Sequence, residues 1–124
     1  MNRHEAVEQY AHAWARRDAA GIRASLGSCW ADNGTYTDPI TDPVTGVDGM
    51  VDLILDFAQR FPGAALQPTS GLDLHQHVGR FTWLMTAPSP IVADVVNYGT
   101  TLSGVDFVEF ATDGRITGIV GFFG

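Results

Sequence analysis

Three polar residues stand where their side chains could take part in acid–base chemistry. Tyr10 falls on the apolar stripe of the first predicted helix, so its hydroxyl should face the interior and need a partner there. Asp38 closes a short predicted strand just before Pro39, at a strand end where functional groups are common. Asp106 lies within an alternating strand pattern, with apolar neighbours on its own face. A carboxylate can act as a base, and a hydroxyl or protonated carboxyl can donate a hydrogen bond.

Each of these residues also has a purely structural interpretation. Tyr10 could be an ordinary core tyrosine, because most aromatic residues on an amphipathic stripe only pack. Asp38 could simply open a turn, since Asp-Pro is a frequent turn opener, and Asp42 competes with it because Thr41-Asp42-Pro43 repeats the pattern. We favour Asp38 because it adjoins the strand. Asp106 could lie on a solvated sheet face, whereas burial would raise the pKa of its carboxyl.

A second group of polar residues lies on a predicted hairpin. Asp73, His75 and His77 alternate, so a straight strand would put them on one face, and His-x-His can chelate a metal. Polar decoration of a hairpin tip is favoured, and no metal site is predicted, because no third ligand stands at a recognisable spacing. His75 and Arg80 are secondary candidates for pairing with an aspartate, as an epoxide hydrolase or dehydratase would require.

Aromatic residues make up 10% of the chain, enough both to fill a core and to line an apolar pocket. The residues that we expect to line such a ligand pocket are Trp14, Trp30, Tyr36, Trp83, Phe110 and Phe122. The sequence has no phosphate-binding loop, dinucleotide fingerprint or nucleophile elbow, so we expect no cofactor.

The periodicity of the hydrophobic residues predicts which helices and strands position these side chains, and it changes from helical to strand-like along the chain. Helices are predicted for residues 3–17, for a short segment capped by Asp18, and for a third segment beginning at Asp48. Strands are predicted for residues 35–38, 72–76, 80–86, 98–111 and 116–122, and a loop for residues 39–47. This order predicts an α+β fold in which helices pack on one face of an antiparallel sheet, with any small-ligand pocket between the layers.

Length and charge narrow the class of protein further. The 124 residues predict a single domain over residues 1–124. A net charge of −7 provides no basic face for nucleic acid or an anionic membrane. Cys29 is the only cysteine, which excludes an intramolecular disulfide and favours a reducing compartment. No apolar run approaches the ~20 residues of a membrane span, and the first residues lack the apolar run of a secretory signal, so we expect a cytoplasmic protein.

Several short motifs run through the whole chain. They are Val7-Glu8-Gln9-Tyr10, Asp18-Ala19-Ala20-Gly21-Ile22, Thr35-Tyr36-Thr37-Asp38-Pro39, Arg80-Phe81-Thr82-Trp83, Gly104-Val105-Asp106-Phe107, Asp113-Gly114-Arg115-Ile116 and Gly121-Phe122-Phe123. In this order they resemble the SnoaL-like and ketosteroid isomerase-like branch of the nuclear transport factor 2 (NTF2-like) superfamily. The resemblance implies a cone of about three helices packed on a strongly curved antiparallel sheet, and a homodimer.

The same resemblance implies roles for the three residues. Asp38 would be the general base, and Tyr10 and Asp106 would donate hydrogen bonds to an oxyanion, with Asp106 as a neutral acid. The implied protein is an enzyme, an isomerase or cyclase that moves a proton next to a carbonyl of a small apolar ligand. Because the superfamily hosts many activities, a non-catalytic ligand-binding or dimerisation module and an epoxide hydrolase or dehydratase remain alternatives.

Overall fold

The computed structural model describes residues 1–124 as three helices and nine strands. The helices are α1 (Arg3–Ala15), α2 (Ala19–Leu26) and α3 (Gly46–Arg60). The strands are β1 (Trp30–Asp38), β2 (Thr41–Thr45), β3 (Ala65–Pro68), β4 (Asp73–His75), β5 (Val78–Thr86), β6 (Val92–Ala93), β7 (Val96–Asn97), β8 (Thr101–Phe110) and β9 (Ile116–Phe123). The predicted α+β class is confirmed.

Side-chain caps fix where the first two helices begin. The Asn2 side chain accepts a hydrogen bond from the backbone N–H of Glu5 at 2.8 Å, and Asp18 accepts one from Gly21 at 2.6 Å. Such caps satisfy N–H groups that have no partner within the helix. α1 stops at Ala15, two residues before the predicted end, because the backbone of Arg16 is already extended.

The main sheet has the strand order β2-β1-β9-β8-β5-β3, with β4 also paired to β5. All of its pairs are antiparallel except β1 with β9, which run parallel. The sheet is therefore mixed and mostly antiparallel, and the one parallel pair was not expected from the sequence. β9 runs antiparallel to β8 on one side and parallel to β1 on the other. As a result, β9 lies between the two strands that carry Asp38 and Asp106.

Other predicted boundaries also need correction. The predicted loop of residues 39–47 contains β2, and β3 was not predicted; both are edge strands, where a proline is tolerated. The strand predicted for residues 98–111 begins only at Thr101 and ends at Phe110, as β8, because a turn containing Gly99, with a φ of 76°, precedes it. β1 begins at Trp30, and the irregular register between Trp30 and Thr35 hides its alternation.

The core lies between the helices and one face of the sheet. Its largest fully buried side chains include Trp30, Met50, Ile54, Ile116 and Ile119. Asp106, Val108 and Phe110 face this core, whereas Phe107 and Glu109 are exposed, so the predicted alternation of β8 is confirmed. The interpretation of Asp106 as a residue on a solvated face is wrong. None of the helices has the length and apolar character needed to span a membrane.

Candidate functional site

An apolar cavity of about 120 Å³ lies between the helices and the inner face of the sheet. α1 contributes Tyr10 and Trp14 to its wall, β1 contributes Tyr36 and Asp38, and β8 contributes Asp106. An apolar cavity of roughly 150 Å³ is large enough to bind benzene. The cavity is comparable in volume and is open to solvent on one side, so it suits a ligand portion about the size of one ring.

The structure brings the three sequence-predicted polar residues to this one cavity, although they lie far apart in the chain. Tyr10 is on the buried face of α1, Asp38 ends β1, and Asp106 lies in the middle of β8. Asp106 pairs with Gly121 of β9, and β9 pairs on its other side with β1. Asp38 and Asp106 therefore flank the middle strand at its inner face.

Asp106 is a buried acid whose carboxyl accepts a hydrogen bond from one side chain. Its residue is only 6% exposed, and Trp83 donates from Nε1 to Asp106 Oδ1 at 3.0 Å. Burial raises the pKa of Asp106 from 3.8 to about 7; the Trp83 N–H lowers it, the charge of Asp38 raises it, and the Tyr10 hydroxyl lowers it. A large fraction of Asp106 therefore carries a proton near neutral pH and can donate it in a hydrogen bond.

Asp38 is held in a fixed orientation by two donors. Its Oδ2 accepts a hydrogen bond from the Tyr36 hydroxyl at 2.7 Å, and its Oδ1 accepts one from the backbone N–H of Ile40 at 3.0 Å. The second bond is that of an aspartate opening a turn. Asp38 thus opens the turn into β2 and also lines the cavity, whereas its competitor Asp42 is exposed and lies outside the cavity.

Tyr10 is packed among aromatic rings and lines the cavity. It is 3% exposed, and its ring stacks on Trp30 at 5.9 Å and meets Trp14 edge-on at 6.4 Å. Burial, and then the charge of Asp106, raises the pKa of Tyr10 well above 10. The hydroxyl therefore keeps its proton at any ordinary pH and can act as a donor.

Three of the six aromatic residues predicted to line a ligand pocket border this cavity. Trp14, Tyr36 and Trp83 line the cavity but do not fill it. Trp30 and Phe110 instead lie in the core outside the cavity lining, with Trp30 stacked against Tyr10. Phe122 is 54% exposed on the outer face of the sheet, and its neighbour Phe123 lines the cavity in its place.

The secondary polar candidates do not reach the cavity. His75 is exposed, and Arg80 is exposed and forms an ion pair through its Nε with Asp73 Oδ2 at 2.9 Å. β5 alternates, so Arg80 lies on the face opposite to that of Phe81, which lines the cavity. The arrangement that an epoxide hydrolase or dehydratase would build from His75 or Arg80 is therefore not present in the cavity.

Sequence reasoning also missed several lining residues. Phe57 and Phe61 stand four residues apart at the end of α3, a helical spacing that could have identified them. Ile91 and Tyr98 reach the cavity from the connection between β5 and β8. That connection shows no periodic pattern, so the sequence held no signal for these two residues.

Comparisons with known proteins agree with this architecture. Residues 7–119 match the model of the SnoaL-like domain family. A proposed isomerase of the SnoaL-like family from Agrobacterium tumefaciens str. C58 is similar over 100% of this chain and 99% of its own, with 31% identity and a TM-score of 0.81.

Two more distant structures share the fold. An NTF2-like protein of unknown function from Exiguobacterium sp. 255-15 has 13% identity and a TM-score of 0.72, covering 96% of this chain and 98% of its own. A proposed SnoaL-like polyketide cyclase from Jannaschia sp. CCS1 has 14% identity and a TM-score of 0.70, covering 96% and 85%. No protein of curated function matches the sequence.

Proposed function

The chain belongs to the SnoaL-like family, and from that premise we propose that it is an isomerase or cyclase acting next to a carbonyl. Asp38 is the general base in this proposal, and Tyr10 and Asp106 donate hydrogen bonds to the carbonyl oxygen. The observation that carries it is that Asp106, a buried acid, lines the same apolar cavity as a second aspartate and a tyrosine; its burial raises the pKa of Asp106 to about 7. No cofactor is required.

The proposed reaction uses these groups in sequence. The Asp38 carboxylate takes a proton from the carbon next to the carbonyl, and the C–H electron pair forms a C=C bond. The carbonyl oxygen becomes an enolate oxygen, which accepts hydrogen bonds from Tyr10 and protonated Asp106. In an isomerase, the proton returns to a different carbon. In a cyclase, the enolate carbon attacks a second carbonyl of the same molecule, the π bond of that carbonyl opens, and its oxygen takes the proton held by Asp38.

The cavity lining supports a ligand without negative charge. No lysine, arginine or histidine lines the cavity, and its only carboxyl groups are those of Asp38 and Asp106. A carboxylate or phosphate ligand would have no counterion in an apolar space, which is costly. The ligand proposed here is therefore a small, neutral carbonyl compound with one ring-sized part enclosed in the cavity and any remainder towards the opening.

The test compares two aspartates that share the same local sequence. Asp38→Asn should abolish deuterium incorporation next to the carbonyl of a small cyclic enone in D₂O, followed by NMR. Asp42→Asn is the matched control, since Asp42 also lies between threonine and proline but is exposed. Both variants should bind phenol, a mimic of the enolate, as well as the unchanged protein does. Equal incorporation by Asp38→Asn and the unchanged protein would refute the mechanism.

The outer face of the sheet favours a homodimer, which is a second proposal. Phe107 and Phe122 are 38% and 54% exposed there. Phe107 pairs with Val120, and Phe122 pairs with Val105, so the four side chains form one apolar patch on adjacent strands. A second copy presenting the same patch would cover it. Sedimentation at micromolar concentration should show a dimer that Phe107→Ser weakens; a monomer in the unchanged protein would contradict this.

If the chain binds a ligand without catalysis, the same cavity serves as a binding site alone. The enone experiment separates the two functions, because a module would bind phenol and yet incorporate no deuterium above the buffer rate. The open cavity between Trp14 and Trp83 is compatible with both. The perturbed acid in the cavity favours the enzyme.

A further inference from the structure

The inner face of β9 has no side chain at the point where the two acids approach it. Gly121 pairs with Asp106 across the strands. A Cβ atom at this position would lie 3.1 Å from Asp106 Oδ1, 3.4 Å from Asp38 Cβ and 3.7 Å from the Tyr36 hydroxyl. The first distance is shorter than nine in ten Cβ contacts in proteins. The carboxyl of Asp106 therefore occupies space that a side chain at residue 121 would take.

The oxygen that lies over Gly121 is also the oxygen held by Trp83. Trp83 Nε1 donates to Asp106 Oδ1, so a displacement of this carboxyl would disturb that hydrogen bond as well. The indole of Trp83 is itself seated over a second glycine, because a Cβ at Gly104 would overlap its ring. Two positions without side chains thus accommodate the Trp83–Asp106 pair on the sheet.

The backbone does not explain why residue 121 is a glycine. Gly121 is not among the glycines with positive φ, so an alanine could adopt its conformation. The distances given above are the only visible constraint on this position. They involve Asp106, Asp38 and Tyr36, all of which line the cavity.

We propose that Gly121 is a positioning residue of the site, whose missing side chain lets the Asp106 carboxyl lean over β9 and present its proton to the ligand oxygen. This inference rests on the proposed function only in assigning Asp106 as a donor to that oxygen. The orientation of the Asp106 carboxyl as a donor then depends on the absence of a side chain at residue 121 of β9. A methyl group at residue 121 should move Asp106 by a few tenths of an ångström and misalign its hydrogen bond.

The test uses two ligands of similar size that differ in one hydroxyl group. Phenol can accept a hydrogen bond from Asp106, whereas toluene can only fill the apolar cavity. At pH 6, Gly121→Ala should weaken phenol binding by about ten-fold, because a misaligned buried hydrogen bond forfeits about that much affinity. Toluene binding should change less than about two-fold, since the cavity walls are unaltered. Both affinities can be measured by NMR titration of the full chain.

The matched control is Gly118→Ala on the same strand. A Cβ at Gly118 would lie 3.5 Å from Thr35 Oγ1, an ordinary contact, and Gly118 does not line the cavity. This variant should leave both affinities unchanged. An unchanged ratio of phenol to toluene affinity in Gly121→Ala would overturn the proposal, whether both affinities stay constant or fall together. A wild-type protein that does not prefer phenol to toluene would overturn it as well.

A second variant covers the case in which Gly121→Ala does not fold. If the new methyl group collides with the Asp106 carboxyl, then removing that carboxyl must relieve the collision. The double variant Gly121→Ala/Asp106→Ala should therefore fold and bind toluene. A double variant that remains unfolded would refute the assignment of Asp106 as the group that Gly121 accommodates. Failure of the proposed catalysis would appear separately, as unchanged deuterium incorporation in Asp38→Asn.

Discussion

Replacing Asp106 by asparagine should make the protein more stable at alkaline pH and should remove a large part of its pH dependence. Burial raises the pKa of Asp106 from 3.8 to about 7 in the folded chain, whereas the unfolded chain exposes an ordinary carboxyl. The folded state must therefore carry a buried charge above pH 7. Asparagine keeps an oxygen to accept the hydrogen bond from Trp83 Nε1 and cannot ionise.

The size of the effect follows from the difference between the two pKa values. At 1.36 kcal/mol per pKa unit, it amounts to about 4 kcal/mol. Because the folded pKa is the higher one, this stability is complete below about pH 4 and is lost as the pH rises to about 7. Small domains have total stabilities of roughly 5–15 kcal/mol, so the loss is measurable.

Urea unfolding, followed by tryptophan fluorescence between pH 4 and pH 8.5, measures this contribution. The informative quantity is the free energy of unfolding of the wild type minus that of Asp106→Asn, since other titrating groups contribute equally to both. It should fall by about 4 kcal/mol between pH 4 and pH 8. The free energy of unfolding of the wild type minus that of Asp42→Asn should not change with pH, because Asp42 is exposed. A flat difference for Asp106→Asn, or one that rises with pH, would refute the burial argument.

Four further outcomes are expected. Phenol binding should weaken as the pH rises through about 7, where Asp106 loses its proton; affinity that is constant from pH 6 to pH 9 would contradict the donor role. Trp83→Phe removes the N–H that lowers the pKa of Asp106, so the midpoint of that binding profile should move to higher pH. Tyr36→Phe removes one donor to Asp38 and should slow proton exchange by about ten-fold without abolishing it, as measured by deuterium incorporation. Ile54→Ala, in the core, should cost about 2–5 kcal/mol in urea unfolding, whereas Val95→Ala, at a residue 98% exposed, should cost less than about 0.5 kcal/mol.

Local patterns were sufficient to single out Asp38 and Asp106, which both line the cavity. The alternation of β8 placed Asp106 on the face of Val108 and Phe110, and these three residues are indeed buried. Asp38 was preferred to Asp42 because it adjoins a strand, and only Asp38 lines the cavity. For Asp106 a period of two residues carried the information, because neighbouring side chains on a strand face opposite sides, whereas for Asp38 it was the position at a strand end.

The structure departs from the predictions where this alternation of side chains shifts by one residue, or where segments far apart in the chain pair. Ile116 and Ile119 are both buried although they stand three residues apart, and the register of β9 shifts next to Ile116. That slip reverses the alternation, so Phe123 faces the cavity and Phe122 does not. The parallel pairing of β1 with β9 joins segments far apart in the chain, and no local pattern encodes it.

The place of β9 in the sheet also has a consequence for how the protein acquires its cavity during refolding. Asp38 lies on β1 and Asp106 lies on β8, and these two strands do not pair with each other. Only β9, the last strand of the fold, connects them. Pairings between remote segments form slowly, whereas the hairpin of β5 and β8 and the three helices depend on closer neighbours along the chain. In stopped-flow refolding, ligand uptake should therefore lag behind the gain of helical circular dichroism, so that a compact but ligand-incompetent species precedes the native state.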